Sequence, residues 1–239
     1  MQVKIHKSFE RGTAEHGWLH SRFSFSFADY YNQERLGFGA LLALNDDIIG
    51  PASGFGMHSH SDMEIVTIVL EGELMHEDSA RNKGVLKSGQ VQKMTAGSGI
   101  MHSETNPSKS EKLRLLQVWV LPKKQGLKPS YELVEFSKES LKNRLLAVAS
   151  GKKSKNSALL YQDSAFFLGM LEKGKKLSHK LEWKNNGVFV FLIEGAVEVL
   201  GKKLSERDSA EITGIQGFEI NALEKSFVLL IEVPMIKTA

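Results

Sequence analysis

Apolar residues along this chain come in short runs of Val, Ile, Leu and Phe, closed at brief intervals by Gly, Asn or Ser and scarcely anywhere at helical spacing. Runs of β-formers bounded by turn residues read as strands, and many of them in succession give an all-β sandwich or barrel. The best helical signal is "SKESLKNRLLA" (137–147), with Ser137 as N-cap and Leu141 and Leu145 at i, i+4. It follows "LPKKQGLKPSYEL" (121–133), which reads as a linker.

A faint repeat divides the chain at that point. "IVLEGELMHED" (68–78) resembles "FLIEGAVEVLG" (191–201). "KSGQVQKMTAG" (87–97) precedes "LLQVWVLP" (115–122) much as "SERDSAEITGI" (205–215) precedes "FVLLIEVP" (227–234). A length of 239 residues accommodates two units of about 100 to 120 residues, each large enough for its own core. The expected division is 1–133 and 134–239, two copies of one β-unit with a few short helices.

Composition narrows the chemistry. The chain has no cysteine, so disulfides and thiolate metal sites are excluded, and any metal must be held by nitrogen and oxygen. The opening "MQVKIHKSFERGTAEHGWLH" has no apolar signal core, and no later apolar run approaches the roughly 18 residues of a membrane helix. A soluble cytoplasmic protein is expected. The net charge of +3 is mild, and lysines gather beside glycines in "GKKSK" (151–155), "KGKK" (173–176) and "GKK" (201–203). These read as solvated hairpin tips, which argues against direct nucleic-acid binding.

The functional signal lies in "GFGMHSHSDMEIVTIVLEGE" (54–73). Strand side chains alternate faces, so His58 and His60 point to one side while Met57 and Ser59 point to the other. Alone this is weak evidence, because a chain with eight histidines readily produces such a pair by accident. A second pair, His102 and Glu104 in "GSGIMHSETNPS" (97–108), follows another Gly-rich turn at the same spacing. If a hairpin brings the pairs onto neighbouring strands, the four groups can converge on one ion. Three neutral imidazoles and a carboxylate suit a divalent transition metal far better than calcium or magnesium. His6, His16, His20, His76 and His179 lack a partner at metal spacing and read as ordinary core or surface histidines.

These residues also carry a family resemblance. The segment from "HGWLHSRFSFSFADYYNQERLGFGALLALNDDIIGPASGFGMHSHSDMEIVTIVLEGELMHEDS" through "GQVQKMTAGSGIMHSETNPS" to "LLQVWVLP" closely resembles the pirin family of two-cupin proteins, over most of the first 135 residues. Over 136–239 the likeness rests on strand order and the weak repeat. The resemblance implies a bicupin, two tandem antiparallel β-barrels of jelly-roll type, with one metal in the N-terminal barrel, held by His58, His60, His102 and Glu104. Fe(II) ranks first as the ion, with Mn, Ni, Cu, Zn and Co as alternatives.

The wider cupin pattern would nominate Glu64 in place of Glu104, and the pirin pattern favours Glu104. Pirins usually have proline where this chain has Ser59, a position that faces away from the metal. The second half offers only His179, so its barrel is expected to be metal-free. The activity implied is quercetin 2,3-dioxygenase: oxidative cleavage of a flavonol by O2 with release of CO, with Glu104 as both ligand and proton acceptor. Two other readings are an iron-dependent regulator with a protein partner, and a cupin acting on another small metabolite. Phe55, Met57, Met101 and Trp119 lie near the motifs and are expected to be mainly core packing.

Overall fold

A computed structural model describes residues 1–236. The alternation that defines its strands is clearest in Glu64–Glu71, where both faces are buried. Val66 and Ile68 point to one apolar cluster, whereas Ile65 and Val69 point the other way into two different ones. A strand buried on both faces belongs at the centre of a layered structure, and this one does.

Each half of the molecule is a two-sheet sandwich. In the first, a seven-stranded sheet runs in the order Ser130–Glu135, Gln90–Thr95, Glu64–Glu71, Leu113–Val120, Leu41–Ile49, Leu19–Phe23, Gly12–Glu15. It faces a four-stranded sheet ordered Gly54–His60, Ile100–Thr105, Glu73–Asp78, Lys83–Lys87. The second has a seven-stranded sheet ordered Gln2–His6, Ser209–Thr213, Asn186–Glu194, Ser226–Pro234, Ala165–Leu171, Leu145–Ser150, Ala158–Leu159. Its four-stranded sheet is Lys176–Lys180, Gly217–Ala222, Ala196–Val199, Lys202–Ser205. The segments related by the sequence repeat occupy the same places in the two orders. This is the bicupin architecture, built as jelly-roll sandwiches whose large and small sheets stay separate in hydrogen bonding.

The two large sheets pack back to back. Val66, Ile68, Leu116 and Val118 of the first meet Phe166, Phe189, Phe191, Leu229 and Ile231 of the second in one apolar cluster. Each such side chain contributes about 1.5–3 kcal/mol on burial, and an apolar seam of this kind holds two units as one body. Two segments cross the expected division. Gln2–His6 pairs with Ser209–Thr213 and so completes the second sandwich, while Ser130–Glu135 pairs with Gln90–Thr95 and closes the first.

The expected helix over 137–147 is shorter than its pattern. Ser137 does cap, accepting from the Ser140 amide at 3.1 Å, but the α-helix is only Lys138–Leu141. Asn143, with φ +51, turns the chain, and Leu145 opens the strand Leu145–Ser150. Pairing with Ala165–Leu171 outweighs a propensity too short to propagate. Among the described residues no helix is long and apolar enough to cross a membrane.

Candidate metal centre

The small sheet of the first sandwich carries the histidines. His58 and His60 face inward from Gly54–His60, and Ser59 between them is exposed. Across the ladder His102 stands directly opposite His58, and a bulge between His102 and Glu104 re-aims the carboxylate. Gly54, with φ +154, permits this close approach, because a Cβ there would lie 2.4 Å from the Glu104 carbonyl oxygen.

The imidazole rings of His58, His60 and His102 lie 4.4 to 4.9 Å apart between centroids. The donor atoms form two overlapping triads that share His102: His58, His60 and His102, then His76, His102 and Glu104, each with its atoms within 4.8 Å of one another. The four expected ligands are therefore neighbours, and His76 joins them. His76 sits on the next strand, paired with Glu104, and its Nε2 lies 3.2 Å from Asp78 Oδ2. Its spacing from Asp78 in "HED" is that of His102 from Glu104, so a third such pair stands in the sequence, contrary to the expectation that His76 lacks a partner.

Glu104 is held from the large sheet. Gln92 Nε2 and Thr67 Oγ1 donate to its Oε1 at 3.1 and 3.3 Å, and Gln117 Nε2 donates to Oε2 at 2.5 Å. Gln117 Oε1 in turn accepts from Trp119 Nε1 at 3.2 Å. Gln92, Thr67, Gln117 and Asn45 are successive cross-strand partners, a polar row across an otherwise apolar face. Polar residues at inward positions of apolar strands, as in "LLQVWV", were the signal that could have found them.

Electrostatics favours cation binding. Burial, then the neighbouring His58, holds the His60 imidazolium at about 4, and burial with His58 and His60 holds that of His102 at about 3. Both rings are thus neutral, with lone pairs available, at neutral pH. Burial raises the Glu104 carboxyl, a cost that a bound dication would reverse. Both ring nitrogens of His102 and Nδ1 of His76 are buried without a hydrogen-bond partner. Buried polar groups in native proteins rarely stand unpartnered, and a metal ion supplies what His102 lacks. His58 Nδ1 lies 2.8 Å from the Gly56 carbonyl oxygen; donating there would leave Nε2 as the ligating atom.

His58, His60 and Glu104 line one end of a cavity of about 710 Å³ between the sheets. Trp18, Phe27, Phe55 and Trp119 form apolar walls. Of the four side chains expected as packing, Phe55 and Trp119 line this cavity, while Met57 and Met101 are 52% and 47% exposed. Asp47 is a second carboxylate in the cavity, hydrogen-bonded by Ser21 and pushed up to about 7 chiefly by burial. Glu104 therefore shares this cavity with a second carboxylate.

Glu64 lies on the opposite face of the large sheet. Its Oε2 accepts from the Tyr161 amide at 3.2 Å and is 3.6 Å from Lys93 Nζ, in the seam between the sandwiches. His6 pairs with Glu211 at 3.0 Å, His20 with Glu15, and His179 with Glu232 at 3.2 Å.

Residues 3–120 match the family described as Pirin, and residues 147–233 match the quercetinase C-terminal cupin domain. A quercetin 2,3-dioxygenase of Escherichia coli K12 is 38% identical over 234 residues, 98% of this chain and 100% of that protein. The chain belongs to the pirin family. A pirin-like protein of Caulobacter vibrioides is 38% identical over 227 residues, covering 95% of this pirin and 97% of the relative. The crystal structure of bacterial pirin YhhW from Escherichia coli in complex with nickel(II) has a TM-score of 0.93 at 38% identity, over 98% of this chain and 100% of that one. This pirin is therefore similar along its whole length to oxidoreductases, and its histidine and carboxylate cluster, beside the nickel complex of a relative, implies a divalent-metal centre.

Proposed function

We propose that this pirin is a cytoplasmic, metal-dependent quercetin 2,3-dioxygenase that cleaves flavonols with O2 and releases CO. His58, His60, His102 and Glu104 would hold one divalent ion, Fe(II) first among the alternatives. The observation that carries this reading is the position of three of these groups at the end of an aromatic-walled cavity large enough for a flat polyphenol. The bound metal would supply Lewis acidity toward the substrate oxyanion and a route for electrons to dioxygen.

The chain's own groups do the rest. Phe55 and Trp18 stand edge to face at 5.3 Å, as do Phe27 and Trp119 at 5.0 Å, giving rigid apolar walls for the rings. Glu104 takes the proton of the flavonol 3-hydroxyl; its Oε2, with a single donor from Gln117, keeps an acceptor position free. Gln92, Thr67 and Gln117 fix that carboxylate, so no reorganisation is required as charge moves. The second sandwich acts as a metal-free scaffold, a role supported by the His179–Glu232 bond and by its continuous apolar interior.

The test is CO release and O2 uptake from quercetin by protein loaded anaerobically with Fe(II), beside His58→Ala. Metal-dependent turnover is expected from the parent protein alone. Iron bound without turnover would refute the iron assignment, and the same result with nickel and manganese would refute the flavonol one.

A further inference from the structure

A second cavity, of about 380 Å³, opens at the junction of the two sandwiches, on the back of the sheet that bears the polar row. Asp47 faces the metal cavity and its neighbour Asp46 faces this one. Arg11, Arg22 and Arg114 line it from the first sandwich, and Arg207 from the second.

Asp46 is overcommitted. Its Oδ2 accepts from Arg11 Nη1 at 3.4 Å, and its Oδ1 lies 3.2 Å from Arg207 Nη1 and 3.6 Å from Arg114 Nε, ion-pair distances without hydrogen-bond geometry. Arg207 is only 8% exposed, its φ is +66, and all three of its guanidinium nitrogens lack a hydrogen-bond partner. The Phe191 ring lies beneath Arg11 and Arg207, at 5.1 and 6.0 Å, but offers no in-plane acceptor. Arg207 is enclosed, with ion-pair contacts only, to Asp46 and, at 3.8 Å, to Glu206, whereas Arg22 and Arg114 are half-buried and line the open volume.

Four guanidinium groups face two carboxylates, Asp46 and the outer Glu206, leaving an excess of two positive charges. That excess matches a dianion, and the fork geometry of arginine matches phosphate oxygens. The volume exceeds that of a bare phosphate. Phe9, 79% exposed at the rim, offers apolar surface for an organic remainder. We propose that this cavity binds the phosphate monoester of a small metabolite, held by Arg22 and Arg114 of the first sandwich, with the enclosed Arg207 of the second adding positive charge behind them. The ligand would sit at the junction of the two units, on the opposite face of the sheet from the metal cavity.

Calorimetry on the metal-free 239-residue chain, in phosphate- and sulfate-free buffer at constant ionic strength, tests this with glycerol 3-phosphate, inorganic phosphate and succinate. One saturable site for glycerol 3-phosphate is expected. Arg22→Gln and Arg114→Gln, at partly exposed positions that tolerate change, should each weaken it about tenfold, the loss of one charge-assisted hydrogen bond. Arg207→Gln, which removes an enclosed charge and no direct contact, should weaken it less, and His58→Ala should leave it unchanged, which separates this site from the metal centre. Absence of saturable binding, or equal affinity in the arginine variants, overturns the proposal. Tighter binding of succinate overturns the phosphate class, and equal binding of inorganic phosphate overturns the ester.

Discussion

Asp47→Asn should stabilise the metal-free protein, by an amount that grows with pH. In the fold, burial pushes the Asp47 carboxyl from its ordinary 3.8 up to about 7, with the Ser21 hydroxyl only partly opposing. Below about pH 4 the group is protonated in both the folded and unfolded chain and contributes no difference. Between about 4 and 7 only the folded chain keeps the proton, so stability falls as pH rises, and above about 7 the loss is complete. Three tenfold steps in proton affinity, at about 1.4 kcal/mol each, come to about 4 kcal/mol. Asparagine fills the same space, still accepts from Ser21, and carries no charge to bury. Urea unfolding of both proteins with chelator present, from pH 4.5 to 8.5, should show the variant ahead by about 1 kcal/mol at the acid end and by about 4 kcal/mol at the alkaline end. His60 and His102, held low, weaken the fold as pH falls, but they do so in both proteins and cancel in the difference. A difference that is flat with pH, or that grows toward acid, would refute the reasoning.

Other outcomes follow from the same geometry. His102→Ala and Glu104→Ala should each lose bound metal by elemental analysis while remaining folded, and His76→Ala, whose ring is engaged by Asp78, should keep it. Glu64→Ala should retain metal yet unfold about 3 kcal/mol more easily, because the fully buried Lys93 loses one of its two carboxylates; metal loss there instead would transfer the ligand role to Glu64. Gln117→Leu strips a donor from Glu104 and the acceptor from Trp119, and chelator competition should report a drop in metal affinity of about 10- to 100-fold. His179→Ala should leave metal content unchanged and cost about 1–3 kcal/mol in urea unfolding through loss of its bond to Glu232.

Strand parity made much of the site readable. His58 and His60, like His102 and Glu104, are separated by one residue, so each pair had to share a face, and the repeat related the strands that lie at equivalent places in the two sheets. The same parity excludes Glu64 once one inward residue is known: Thr67, three positions on, donates to Glu104, so Glu64 must face the other way. What the sequence does not state is which face is inward, because that depends on a second sandwich covering the first. His76 and Asp78 share that one-residue spacing too, but the ladder that sets His76 beside Glu104 joins strands with two others between them in the chain and is not stated by the sequence. Leu141 and Leu145 misled because one packs in the seam and the other against the second interior, so their helical spacing was coincidence.

The two sandwiches also explain why one should hold a metal and the other should not. In the first, Gln92, Thr67, Gln117 and Asn45 pair across four strands, and the first three donate to the opposing carboxylate. The same four places in the second are Ala210, Val190, Leu230 and Phe167, which pair in the same order and pack into a continuous apolar interior. His179 faces Phe218 in the ladder as His58 faces His102. A carboxylate placed above the Ala210 row would meet no donor, and burying it would cost several kcal/mol. Converting the second sandwich to a metal site therefore requires the row to change before the ligands do. Ile220→Glu combined with Phe218→His should yield an unfolded or metal-free chain, whereas the same pair introduced with Val190→Thr and Leu230→Gln should bind a second equivalent of metal by elemental analysis. Equal metal uptake with and without the row would show that the ligands alone suffice.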